Sequence, residues 1–159
     1  MLGSSDDETR SYREIVDALG QLGAAPTEDV AALRRRLVFN ILISNTDDHL
    51  RNHGFLYGGR DGWRLSPGYD LNPVPVDIKP RILTTAINED DGTASLAPAV
   101  VVAAYFEFDV GRARDRAAQV GTVVPRRRDV AARYGLTKSE TDRMASAFEH
   151  ADPEMARAF

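Results

Sequence analysis

Residues Pro26 to Ile43 carry apolar side chains at helical spacing and run directly into a polar segment, Asn45-Thr46-Asp47-Asp48-His49-Leu50-Arg51-Asn52-His53. That junction constrains the chain more than any other feature. Val30, Leu33, Leu37, Val38, Ile41 and Leu42 form one stripe, and Phe39 and Ile43 widen it, so the spacing predicts a helix central to the core. Pro26 and Thr27 open it, with Glu28 and Asp29 complementing the positive first turn. Asn45, Thr46, Asp47 and Asp48 are poor helix formers and good loop residues, so the helix delivers a polar loop.

The elements around this junction read as mainly α with a small β-hairpin. Ser11-Tyr12-Arg13-Glu14 is a capping box, followed by Tyr12, Ile15, Val16, Leu19 and Leu22 at helical spacing, with Gly23 as the stop. Gly54 to Tyr57 and Trp63 to Leu65 flank Gly58-Gly59-Arg60-Asp61-Gly62, which predicts a β-hairpin. Pro67 to Pro80 is proline-rich and irregular, and Ile82 to Ile87 reads as a third short strand ended by Asn88-Glu89-Asp90-Asp91-Gly92. Leu96 to Phe106 is expected as one helix. Val110 to Tyr134 is expected as a longer one, kinked or broken at Gly121 and Pro125 and capped by Gly135. Thr137-Lys138-Ser139-Glu140 is a second capping box, opening a last helix that carries Met144 and Phe148. The organisation expected is a flexible lead over 1–10, one domain over 11–150, and a tail over 151–159.

With 159 residues, 43% of them hydrophobic and 28% charged, the chain is long enough for one domain with a real core. A formal net charge of −4 argues against general nucleic-acid binding, although arginines cluster at Arg34 to Arg36, at Arg112, Arg114 and Arg116, and at Arg126 to Arg128. No cysteine is present, which excludes disulfides and thiolate metal sites. Met1 to Glu8 is polar and acidic, unlike a secretory signal, and the apolar run Leu96 to Phe106 is too short to span a bilayer. A cytoplasmic location is the default expectation.

The loop carries an ordered set of groups: Asp47, then Asn52 five residues on, then Asp70 beyond the hairpin. Protein kinases use this order, with one Asp accepting the proton of the attacking hydroxyl while an Asn and a second Asp hold magnesium on the ATP phosphates. Asp47 is therefore the candidate base. Asn52 and Asp70 are the candidate Mg2+ and ATP-phosphate ligands, a donor pair suited to a cation that keeps waters and phosphates elsewhere. His49 and Arg51 are candidates for steadying the transferred group. Each residue taken singly also has a plain structural reading, as a turn cap or a surface ion pair; the ordered set favours chemistry. His49 and His53 stand four apart, a zinc spacing on a helix, but the loop composition opposes a helix and His-Glu-x-x-His is absent. Two kinase parts are missing. No G-x-G-x-x-G occurs, and the only lysines, Lys79 and Lys138, lie downstream of the loop. Ten polar residues before Ser11 leave no room for a nucleotide-binding lobe.

At these residues the chain resembles the HipA family of bacterial toxin kinases, whose members carry Thr-Asp-x-His-x-Lys-Asn and a later Tyr-Asp. Thr46-Asp47-Asp48-His49-Leu50-Arg51-Asn52 matches with Arg51 in place of lysine, and Tyr69-Asp70-Leu71 matches the second motif. The flanks Asn40 to Asn45 and Asn52 to Leu56, and the closing stretches Arg133 to Thr137 and Met144 to His150, are similar as well, so the resemblance covers Ser11 to His150. It implies the helical C-terminal lobe of a Ser/Thr kinase, with catalytic loop 45–53 and metal-binding segment 67–72, and without the N-terminal nucleotide lobe. It implies Asp47 as base and Asn52 and Asp70 as magnesium ligands. It also implies a protein substrate such as an aminoacyl-tRNA synthetase, and a helix-turn-helix antitoxin through which DNA is met only indirectly. Without the missing lobe, ATP binding and activity are expected to be weak or absent. Two other classes stay open: a non-catalytic binding module with a kinase fold, and a phosphotransferase acting on a small-molecule hydroxyl.

Overall fold

The computed structural model describes residues 10–88 and 91–159. Residues 1–9 of the expected lead, and Glu89 and Asp90 of the expected strand end, lie outside the described residues. Arg10, the last residue of that lead, pairs with Thr85.

Two helices form the heart of the domain. Helix α1 (Tyr12–Leu22) begins at the capping box, where Glu14 Oε1 accepts the Ser11 N–H at 3.1 Å, and stops at Gly23. Helix α2 (Pro26–Leu42) lies against it. Tyr12, Ile15 and Leu19 of α1 and Leu33, Leu37, Val38, Ile41 and Leu42 of α2 are wholly buried, as the apolar spacing predicts. Buried Arg34 lies over the rings of Phe106 and Phe108, with Nη1 donating to Ala99 O at 3.0 Å; burial lowers its pKa to about 10.

The strands are short. Strands β1 (Arg10–Ser11) and β4 (Thr85–Ala86) pair in parallel, so the strand expected over Ile82 to Ile87 is reduced to two residues and joins the N-terminal segment rather than the hairpin. Strands β2 (Phe55–Tyr57) and β3 (Trp63–Leu65) form the antiparallel hairpin, in register Phe55 to Leu65 and Tyr57 to Trp63. Buried Asp29 bolts that hairpin to α2, accepting from Arg64 Nε and from the Leu65 N–H at 3.0 Å.

The C-terminal half departs from the sequence reading in four places. Leu96 to Phe106 is helix α3 (Leu96–Val101) followed by a 3-10 turn at Val102–Phe106. The tighter winding stacks Ala103 and Phe106 on one side, and both are buried. Helix α4 (Val110–Val123) passes through Gly121 without a break, and the chain is interrupted only at Pro125, before α5 (Arg127–Arg133). The second capping box opens α6 (Lys138–Arg143), which stops short of Met144 and Phe148. Residues expected as a tail form helix α7 (Ala151–Ala158), which packs along α4. Gly121 permits that approach, since a Cβ there would lie 2.8 Å from the Ala156 Cβ. No described helix is long and apolar enough to cross a membrane.

Candidate functional site

Helix α2 ends in a way that fixes the loop from its first residue. Ser44 takes the left-handed φ of 52°, its N–H bonds to Ile41 O at 3.2 Å, and the Asn45 N–H reaches back to Asn40 O at 2.8 Å. This is a Schellman termination with serine where glycine is usual. Such a backbone in a non-glycine residue persists where the surroundings over-determine it. Here Ser44 O accepts the Val74 N–H at 3.2 Å, and Ser44 Oγ accepts from Arg81 Nε at 3.1 Å.

Beyond Ser44 the loop lies along β4. Thr46 O accepts the Thr84 N–H at 3.1 Å, and Asp48 O accepts the Thr85 N–H at 3.0 Å. A 3-10 turn at Leu50–Asn52 then closes it, with the Asn52 N–H on His49 O at 2.8 Å. Turns at Thr46–Asp47 and Leu50–Asn52 shape the loop and no α-helix forms in it, which leaves His49 and His53 on no common helical face.

Beneath the loop sits a buried polar chain. Asp48 is fully buried and accepts from the Tyr12 hydroxyl and from His53 Nε2 at 3.1 Å. His53 Nδ1 faces Arg36 Nη1 at 3.3 Å, and Arg36 Nη2 donates to Ser66 O at 2.7 Å. The imidazole tautomer with its proton on Nε2 satisfies both neighbours, giving to Asp48 and accepting from Arg36. Asn40 Nδ2 donates to the Tyr12 oxygen at 3.2 Å. Burial first, and then the charge and hydrogen bond of Asp48, push the Tyr12 hydroxyl well above its ordinary pKa; burial lowers that of Arg36.

Above the loop the candidate residues have different settings. The Asp47 carboxylate is 66% exposed and meets Lys79 Nζ at 3.2 Å. Asn52 is buried, and its Nδ2 donates to Asp47 O at 3.3 Å, which leaves the amide oxygen as its available donor to a cation. Asp70 lies on an exposed turn at φ 55°, and its Oδ1 accepts from Asn72 Nδ2 at 2.5 Å. The Tyr69–Asp70 segment is fastened to the loop at two points. The Tyr69 hydroxyl donates to Arg51 O at 2.6 Å, and Asp70 O receives Asn45 Nδ2 at 3.4 Å. His49 is half-buried, and its buried Nδ1 has no hydrogen-bond partner among the described residues. Arg51 lines a groove of about 790 Å³ with Glu14, Leu22, Leu50, Phe55 and Trp63.

One amide oxygen and one carboxylate are hard donors of the kind magnesium takes beside waters and phosphate oxygens, so the residues present fit that ion. Among the described residues no group of three or more His, Cys, Asp or Glu side chains is placed to hold a metal, and both ring nitrogens of His53 are engaged. Sequence reasoning missed the buried role of Asp48, the contributions of Tyr12 and Arg36, and the position of Lys79. The spacing to Asn52 singled out Asp47, but nothing in the sequence showed that Asp48 is buried between Tyr12 and His53.

The family model described as "HipA-like C-terminal domain" matches residues 1–150. A Sinorhizobium fredii protein named "Putative kinase Y4dM" is 48% identical over 61 residues, which is 38% of this chain and 14% of the relative. A Haemophilus influenzae protein named "Putative kinase" is 27% identical over 100 residues, which is 60% of this chain and 29% of the relative. The chain therefore matches well under half the length of these curated relatives. No solved structure gave a significant match.

Proposed function

This chain belongs to the HipA-like C-terminal domain family, and we propose that it is the lobe of a Ser/Thr protein kinase that carries the base and the metal ligands. In this reading Asp47 orients the acceptor hydroxyl and takes its proton. Asn52 and Asp70 hold Mg2+ against the phosphates of ATP. Bound magnesium supplies charge neutralisation on those phosphates. Adenine contacts come from a nucleotide lobe outside this chain, so the domain alone binds ATP weakly. His49 and Arg51 border the same loop and steady the transferred group. The physiological role is that of a toxin kinase, acting on a protein such as an aminoacyl-tRNA synthetase. A helix-turn-helix antitoxin restrains it and makes the only link to DNA.

One observation carries this reading. Asp47 exposes its carboxylate from a loop whose backbone is clamped to β4 on one side and to Tyr69–Asp70 on the other. Positioning supplies much of the catalysis in phosphoryl transfer, and a loop held this way is pre-organised for it. The two relatives named as kinases support the same class.

The test uses the protein as its gene encodes it. Asp47→Asn lowers phosphotransfer by about 10²–10⁴-fold, the range for a lost general base. Asp70→Asn abolishes magnesium-dependent ATP binding in calorimetry. Undiminished transfer by the Asp47→Asn protein sinks the assignment of the base. No ATP binding by the full-length wild-type protein points instead to a kinase-fold binding module, and transfer to a small alcohol but to no protein points to a small-molecule phosphotransferase.

A further inference from the structure

Lys79 stands in the proline-rich stretch between the hairpin and β4, and its Nζ lies 3.2 Å from Asp47 Oδ1. Taken as a stability device this contact is minor, because the Asp47 side chain is exposed, that of Lys79 is partly so, and solvent screens such an ion pair. The segment that presents Lys79 is nevertheless held at four places, two through its backbone and two through side chains. The Val74 N–H bonds to Ser44 O at 3.2 Å, and the Val76 N–H to Ser146 Oγ at 3.3 Å. Asp77 pairs with Arg143 of α6 at 3.1 Å. Arg81 reaches Ser44 Oγ and Ile41 O at 3.1 Å, and Asp152 of α7 at 2.8 Å. Between these attachments Ile78 and Lys79 fold back in a turn onto Pro75 O, at 2.9 and 3.3 Å. The segment is tied to the end of α2, to the region after α6 and to α7, and it carries one ammonium group to the loop carboxylate.

The residue type is informative too. Only two lysines occur among 20 basic residues, the rest being arginine. An ammonium is a compact point charge that binds a phosphate oxygen without the planar fork of a guanidinium. The loop position that resembles the lysine of Thr-Asp-x-His-x-Lys-Asn is Arg51, and its backbone carbonyl is taken by Tyr69.

We propose that Lys79 is a further catalytic residue of this site, contacting the transferring phosphoryl group of a nucleoside triphosphate while Asp47 holds the attacking hydroxyl. The inference rests on the assignment of Asp47 as base. In the resting site Lys79 neutralises the exposed carboxylate. When the acceptor hydroxyl occupies Asp47, the ammonium turns to a non-bridging oxygen of the phosphoryl group. The hydroxyl oxygen then forms its bond to phosphorus as the bond to the leaving diphosphate breaks. The hydroxyl proton passes to Asp47, and the Lys79 protons stay in place.

The experiment measures steady-state transfer by the full-length protein with Mg-ATP, for wild type, Asp47→Asn, Lys79→Met and Lys79→Arg. Lys79→Met is expected to lower kcat at least 30-fold with KM for Mg-ATP within threefold of wild type and an unchanged melting temperature. Lys79→Arg keeps the charge but not the compact ammonium, and its kcat is expected to fall between those of wild type and Lys79→Met. A Lys79→Met kcat within threefold of wild type, or a Lys79→Arg protein as impaired as Lys79→Met, overturns the proposal while leaving Asp47 as base. Full transfer by Asp47→Asn, or none by wild type, removes the underlying assignment and this inference with it.

Discussion

Asp47 and Asp48 are neighbours in the chain and face opposite environments: the first carboxylate is 66% exposed beside Lys79, and the second is fully buried between Tyr12 and His53. The consequence is a division of labour that substitutions resolve. Removing one partner from a buried, hydrogen-bonded charge leaves the others unpaired, at a cost of about 3–5 kcal/mol. Asp48→Ala removes the acceptor of the Tyr12 hydroxyl and of His53 Nε2 and the buried negative charge near Arg36, so its unfolding free energy should fall by about that amount. Asp47→Ala should stay within about 0.5 kcal/mol of wild type, as surface changes do. Chemical denaturation of the two variants decides it, and equal losses would show that the buried chain does not hold the loop.

Acid sensitivity has a specific source in Asp152. Burial alone would raise its pKa, but the nearby His150 ring, the Leu96 N–H and the Arg81 guanidinium outweigh that and bring it from 3.8 to about 2. The folded state therefore holds this proton less tightly than the unfolded state does. The resulting stability is complete above about pH 5 and is lost as pH falls toward 2, amounting to about 2–3 kcal/mol. Melting curves of wild type and Asp152→Asn should differ at neutral pH and converge across that window. A constant gap down to pH 2 would contradict the assignment.

What was legible in the sequence is what local rules control. The capping boxes at Ser11 and Thr137, the Pro26 start and the stripe from Val30 to Leu42 placed helix starts and the central core correctly. Gly54 to Leu65 read as a hairpin because its turn and strand residues are adjacent. The meeting of Tyr12 with Asp48 was not legible, because it joins residues 36 apart and no spacing rule links them. Lys79 was passed over for the same reason: a proline-rich stretch has no period that reveals where it returns. Gly121 read as a helix breaker on propensity alone, whereas helix packing against Ala156 decided its role. Asp47, Asn52 and Asp70 were visible as an ordered set, and the fold adds the bond from the Asn52 side chain to Asp47 O and that from the Asn45 side chain to Asp70 O.

Two glycines in helices should respond in opposite directions to alanine. At Gly121 a methyl group meets the Ala156 Cβ at 2.8 Å, so α4 and α7 must separate, an overpacking cost of about 1–3 kcal/mol that exceeds the gain in helix propensity. At Gly20, exposed within α1, nothing lies within 4 Å of the added carbon. Gly20→Ala should then stabilise by about 0.5–1 kcal/mol through lower unfolded-state entropy. Thermal unfolding of both variants is the measurement, and a stabilised Gly121→Ala protein would show that the α4–α7 contact is looser than described.

The backbone at Asp70 determines which substitution can test its chemistry. Its φ of 55° lies in the left-handed region, where asparagine, aspartate and glycine are tolerated and alanine costs about 1–2 kcal/mol. Asp70→Asn keeps that tolerance and an oxygen able to accept from Asn72, so the turn and its bond to Asn45 should persist with a melting temperature close to wild type. Asp70→Ala should melt lower, and Asp70→Gly should recover the backbone but not the side-chain contact. Loss of magnesium-dependent ATP binding in Asp70→Asn, measured on the full-length protein, would then report the carboxylate itself and not a collapsed turn. Retained binding in Asp70→Asn, alongside the predicted order of melting temperatures, would reduce Asp70 to a turn residue and leave the metal site without its anionic ligand.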